Sequence, residues 1–179
     1  MSQAAIDRPQ ANEYNEYYSR YISLVPQQDI LLTLERQLPE TVKLLRNVGE
    51  DRGGYRYAPD KWSIKQVIGH LADTERVFAY RALRISRNDS TPIEGFEQDD
   101  YVLYGPFQQC RLADLVSEFE HIRHSTLDLF RNLDPQAWTR RGVANKNEVS
   151  VRAIAYILAG HELHHRKILQ EKYLAASAA

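Results

Sequence analysis

Three histidines, His161, His164 and His165, fall within five positions of the segment "AGHELHHRKIL" at 159–169, and a fourth, His70, stands in "VIGHLADTERVF" at 67–78. A neutral imidazole carries a lone pair that can bind zinc or nickel or take up a proton near neutral pH. His161 and His165 are spaced i, i+4, which sets two rings one turn apart on one helix face. A helix offers two nitrogens to a single ion in this way. The run His161-Glu162-Leu163-His164-His165 is also close to the H-E-x-x-H pattern of zinc proteases. A protease is disfavoured, because a bundle without strands has no sheet edge to hold an extended peptide. The plainer reading of the pair is hydrogen-bonded core histidines or partly solvated rings, so helix geometry has to decide.

Apolar residues recur at helical spacing in four long segments, with little strand alternation. In the last of these, Val151, Ile154 and Leu158 mark the buried stripe. His161 and His165 follow Ile154 and Leu158 by seven positions, which puts each about 20° from its reference, whereas His164 falls about 120° from Leu158. His70 lies about 60° from the centre of its own stripe, where a ring can lean into a bundle interior. Three imidazoles from two helices would leave open positions on an ion, as catalytic rather than closed structural sites do. His121 and His124 lie in the polar run "SEFEHIRHST" and read as solvated.

Other residues near these rings have candidate roles with plain alternatives. Asp73, Thr74 and Glu162 are weak candidates for proton transfer or hydrogen bonding to the site, against the simpler reading of surface or capping groups. Arg81 shares the His70 side of its helix about 16 Å further along the axis. It could meet an anionic substrate at a cleft mouth, though a salt bridge within the bundle is the favoured reading. Gln98 and Asp99 receive no chemistry, and Cys110 reads as a small apolar residue rather than a nucleophile.

The elements that must position these groups are legible from stripes and caps. A first helix is expected from about Asp29 to Val48, with Leu31, Leu34, Leu38, Val42 and Leu45 on one side and a kink or break near Pro39. The second opens at Ser63, whose spacing to Gln66 forms a capping box, and runs through Ile64, Val67, Leu71, Thr74, Phe78, Ala82 and Ile85. Residues 87–110 read as a long, partly ordered connection. The third helix is expected over about 111–133, on Leu112, Leu115, Val116, Phe119, Ile122, Leu129 and Phe130. The fourth starts after an N-cap at Ser150 and runs towards Tyr173 or Leu174. Residues 1–26 read as an N-terminal extension with a short helix, and 27–179 as one bundle domain ending in a frayed "AASAA" tail. Four amphipathic helices burying one another's stripes predict an all-α four-helix bundle.

Composition narrows the function class. The chain has 179 residues, 43% of them apolar, with 23 basic and 24 acidic residues giving a formal net charge of −1. No basic run marks a nucleic-acid track, and no segment has the apolar length needed to span a bilayer. The single cysteine fits a reducing compartment, and with no signal-peptide pattern the cytoplasm is the expected location.

Three blocks, "YAPDKWSIKQVIGHLADTERVFAYRALRI", "GFEQDDYV" and "SVRAIAYILAGHELHHRKIL", closely resemble the DinB/YfiT-like family of small bacterial proteins. The resemblance covers most of the chain, from the first long helix to about Tyr173. It implies a four-helix bundle whose first and last helices are not joined in simple up-down order. It also implies a divalent ion, zinc or nickel, held by residues that match His70, His161 and His165, with His164 outside the ligand set. Frequent dimers are implied as well. The activity implied is that of a metal-dependent hydrolase, or of an S-transferase or isomerase that activates a low-molecular-weight thiol, acting on small molecules. The competing expectation is a metal-stabilised bundle that binds a ligand or partner and catalyses nothing.

Overall fold

Capping side chains stand where three of the long helices begin. The computed structural model describes residues 6–175; residues 1–5 and, of the "AASAA" tail, residues 176–179 lie outside the described residues. The helices are α1 (Ser19–Ile22), α2 (Ile30–Arg46), α3 (Ile64–Ser86), α4 (Gln98–Tyr104), α5 (Leu112–Arg131) and α6 (Val151–Ile168). Asp29 accepts from the amide of Leu32, Ser150 accepts from the amide of Ala153, and Ser63 and Gln66 bond reciprocally across the first turn of α3. Helix α2 runs unbroken through Pro39 instead of breaking there. Pro39 is exposed, on the outer side of the helix. A π-helical turn, Leu169–Leu174, extends α6 and packs Tyr173 so that its hydroxyl donates to Trp62 O at 2.6 Å.

Polar pairs between helices give their directions. Gln37 and Thr41 of α2 bond to Ala159 O and Glu162 of α6, so α2 and α6 run parallel. Arg46 pairs with Glu120 and Glu35 with Arg131, so α5 opposes α2. The start of α3 shares Glu50 with the start of α5, since Glu50 takes bonds from both Lys65 and the Leu112 amide. Helices α3 and α5 are therefore also parallel, and the bundle reads up, down, down, up. A chain leaving α3 must travel back along its whole length of about 34 Å before α5 can begin. That return explains the long connection after Ser86, and within it the seven residues of α4 bury only Val102.

Two short strands, β1 (Arg141–Ala144) and β2 (Asn147–Ser150), form an antiparallel hairpin in the stretch expected to be a loop. Asn145 and Lys146 take positive φ values of 49° and 64°, as a two-residue hairpin turn requires. Ile93 bridges to Ala144 and so ties the crossover to the hairpin. The N-terminal segment packs on α6 through α1, and Glu13 clasps the start of that helix, accepting from Ser150 Oγ at 2.6 Å and Arg152 Nε at 2.8 Å. No helix among the described residues is long and apolar enough to cross a membrane.

The apolar core comes in two parts. One gathers Leu34, Phe78, Leu127, Phe130 and α6 up to Ala159; the other gathers Leu38, Leu71, Phe119 and Leu169 with their neighbours. Between them every bundle helix turns polar: Gln37 and Thr41 on α2, His70, Thr74 and Glu75 on α3, Arg123 on α5, His161 and Glu162 on α6, all buried. Arg123 Nε bonds Glu75 at 2.6 Å and its Nη1 bonds Glu162 at 2.5 Å. Burial works against the guanidinium's charge, but the two carboxylates more than offset this and raise its pKa.

Two stability predictions follow from these contacts. Arg123→Met strands two buried carboxylates and should lower the unfolding free energy by about 3–5 kcal/mol, read as a fall in the denaturant midpoint. At Glu13, burial alone would raise the pKa, but the hydrogen bonds from Arg152 and Ser150 prevail and hold it at about 2. Its contribution is therefore full above its unfolded pKa near 4.5 and is lost as the pH falls through 2. Glu13→Gln should cost on the order of 2 kcal/mol at pH 7 and progressively less in denaturation curves taken towards pH 3.

Candidate metal centre

His70 projects from α3 and His161 and His165 from α6, and the three rings meet in the polar layer. One ring nitrogen of each lies within 4.8 Å of the others. Nε2 of His70 stands 3.0 Å from Nε2 of His161, and the ring centroids are 4.5 Å apart for His161 and His165 and 4.9 Å for each of the other pairs. His70 and His161 are buried and His165 is half-buried. His164 packs edge-on against Tyr21 and His165 rather than joining the cluster of nitrogens, and His121 and His124 are exposed.

Burial keeps these rings neutral. It holds the pKa of His70 down at about 4, and those of His161 and His165 well below the usual histidine range. For His161 the neighbouring rings of His165, His70 and His164 and the Arg20 guanidinium add to the effect. A neutral imidazole is the metal-binding form.

The donor set fits a divalent ion. Two nitrogens on a tetrahedral zinc at about 2.0–2.1 Å are separated by about 3.3 Å, close to the His70–His161 spacing. No carboxylate hydrogen-bonds any of the three rings among the described residues, so their inward nitrogens face one another instead of an acid. Thr74 Oγ1 stands 3.4 Å from Nδ1 of His70, the nitrogen turned away from the cluster. Trp62 packs 4.7 Å from the ring of His70 and stacks at 6.5 Å from His165, and Tyr21 meets His161 edge-on at 5.3 Å.

The remaining candidates separate cleanly. Thr74 is buried and reaches His70. Asp73 is half-buried and pairs with Arg76 at 3.3 Å; burial raises its pKa and Arg76 opposes the rise. Glu162 is neither a surface nor a capping group: it is 1% exposed, with one oxygen taken by Thr41 at 2.5 Å and the other by Arg123. Sequence reasoning passed over Arg123, yet it sits four positions after Phe119 and four before Leu127, within the buried stripe. Arg81 makes no ion pair among the described residues, contrary to the salt bridge favoured above; the rings of Phe78 and Phe96 cover it instead. Cys110 is half-buried, its thiol against Pro106 O.

A cavity of about 480 Å³ opens beside the histidines. One wall is a single stripe of α3 (His70, Thr74, Phe78, Arg81), and the facing wall is Ile154, Ile157 and His161 of α6. Tyr18 and Tyr21 close one side, and Gln98 and Asp99 of α4 lie at its edge. Gly160 admits this arrangement, because a Cβ there would lie 2.0 Å from the backbone oxygen of Tyr21. Gly160→Ala should therefore drive α1 off α6, at about 1–3 kcal/mol by the usual cost of overpacking. Loss of the Tyr21–His161 contact would be visible as a shifted His161 ring signal in NMR spectra.

Comparison with known proteins agrees with this architecture. A profile of the DinB superfamily matches residues 33–169. A protein of Oceanobacillus iheyensis, named with a provisional assignment as a metal-dependent hydrolase, is 26% identical over 135 residues, which are 74% of this chain and 75% of that protein. Among solved structures, YfiT from Bacillus subtilis, described as having an unusual four-helix bundle topology and provisionally as a metal-dependent hydrolase, superposes with a TM-score of 0.72 at 15% identity. That match covers 97% of this chain and 95% of YfiT. A mycothiol-dependent maleylpyruvate isomerase superposes with a TM-score of 0.68 at 13% identity, over 82% of this chain and 61% of that one. With three of its four bundle helices matched in full and the fourth from Thr33 onward, the chain belongs to the DinB superfamily.

Proposed function

We propose that the chain is a metal-dependent enzyme acting on small molecules, with His70, His161 and His165 holding a divalent cation, zinc or nickel. The observation that carries this reading is the meeting of three ring nitrogens, those of His70, His161 and His165, the first two in the wall of a cavity large enough for a small ligand. The names of the similar proteins support it: two are assigned to metal-dependent hydrolysis and one to thiol-dependent isomerisation. A divalent ion on three neutral imidazoles supplies Lewis acidity, which makes a water or a low-molecular-weight thiol nucleophilic at neutral pH. Hydrolysis and S-transfer thus draw on the same three residues and differ in the guest.

The chain's own side chains prepare the site. Thr74 Oγ1 lies 3.4 Å from Nδ1 of His70; with the proton on Nδ1 and donated to that hydroxyl, Nε2 would present its lone pair to the cluster. Trp62 and Tyr21 flank the rings and keep water from them on two sides. Glu162 has both oxygens engaged, and Asp73 is held by Arg76, so Thr74 is the polar group best placed to serve the histidines.

Protein purified without added metal should carry about one divalent ion per chain by elemental analysis. His161→Ala should lose it and His164→Ala should keep it. Equal metal content in wild type and His161→Ala overturns the assignment. Turnover in a panel of thiols with electrophiles, and of esters and amides, should disappear on chelation and return with the ion. Silence across the panel in metal-loaded protein would instead favour a ligand-binding bundle.

A further inference from the structure

Arg81 is 3% exposed, yet among the described residues its charge has no acidic partner. One Nη donates to the backbone oxygen of Glu94 at 3.1 Å, while Nε has no hydrogen-bond partner. The guanidinium lies over the rings of Phe78 at 4.8 Å and Phe96 at 5.8 Å, with Tyr18 beside it. Burial pulls its pKa down, and Tyr18 offsets only part of that. An isolated charge in such a place is costly unless something pairs with it. Arg81 also belongs to the cavity wall that begins at His70. Three acids, Glu97, Asp99 and Glu148, line the same cavity, but all are exposed and none bonds Arg81.

We propose that the cavity takes a small substrate bearing one carboxylate, which Arg81 receives in a forked hydrogen-bonded pair while the reacting end of the molecule lies at the three histidines. The guanidinium fork fits the two oxygens of a carboxylate, and its unpartnered Nε–H supplies one of the two parallel bonds. The backbone positions of Arg81 and His70 are about 16 Å apart along α3, a span that both side chains shorten by reaching into the cavity. A molecule of several heavy atoms between its carboxylate and its reacting bond fits that separation. A phosphate ester is disfavoured, because the acidic rim repels a dianion and no second cation faces Arg81 among the residues lining the cavity. Phe78, Ile154 and Ile157 line the stretch between, so the linking part of the substrate is apolar. This assignment names the substrate class of the site proposed above and rests on that reading for the reacting end only.

The test uses the full chain, in metal-loaded and chelated forms, titrated with hexanoate, hexanamide and hexyl phosphate. Hexanoate should bind about tenfold or more tightly than hexanamide in both forms, as expected of a charge-assisted pair. The preference should vanish in Arg81→Gln and fall in Arg81→Lys, which keeps the charge without the fork. Hexyl phosphate should bind more weakly than hexanoate. Equal affinity for acid and amide, an unchanged preference in Arg81→Gln, or a preference that appears only with metal bound would each overturn the proposal. Should Arg81→Gln fail to fold, the wild type decides. The Nε–H signal of Arg81 should move with hexanoate and stay still with hexanamide, and an unmoved signal under hexanoate overturns the assignment. Metal content, measured in the same samples, should be equal in Arg81→Gln and wild type. A wild type that takes up no divalent ion when one is supplied, yet still prefers hexanoate, would sink the metal reading alone.

Discussion

The guanidinium of Arg123 holds the bundle in register. It comes from α5 and bonds Glu75 of α3 and Glu162 of α6, while Thr41 of α2 closes the network on the second oxygen of Glu162. All four bundle helices therefore meet at one hydrogen-bonded point. Such a network is a poor source of net stability, since an apolar layer of equal volume would do as well or better. Its worth lies in selection: any sliding or rotation of one helix leaves a buried charge without its partner.

That selection reaches the histidines directly. Glu162 follows His161 in the chain, so fixing the carboxylate between Arg123 and Thr41 fixes the rotation of α6 and turns the neighbouring ring towards α3. Glu75 does the same for His70 one turn and a little more away. Two carboxylates sharing one guanidinium also leave a formal negative charge beside three neutral rings, a field that favours a cation among them. The polar layer that divides the apolar core thus has two faces, one that locks the helices and one that presents nitrogens to the cavity.

Much of this was readable in residue spacing. The stripes of α2, α3, α5 and α6 and the caps at Asp29, Ser63 and Ser150 are local, and local signals survive in a single sequence. The wheel placed His161 and His165 inward and His164 aside for the same reason. The hairpin escaped because four-residue strands are too short to show alternation, and its Asn-Lys turn lacks the glycine that would mark it. Helix α4 escaped because it buries one side chain and exposes Leu103 and Tyr104. Arg123 escaped, and Glu162 read as no more than a weak candidate, because a charged residue in a stripe looks like a solvated one until its partners, which lie 39 and 48 positions from Arg123, are seen. The closure of Arg81 by aromatic rings instead of an acid is likewise a tertiary fact.

The parallel pairing of α2 with α6 has a consequence in time. His70 leaves the ribosome 91 positions before His161, a delay of roughly 5–20 s at ordinary rates of synthesis. Until the last helix emerges, His70 is the one imidazole of the three yet made, and a single ring cannot hold an ion by itself. On the metal reading proposed above, an ion would be taken up only once the final helix has docked.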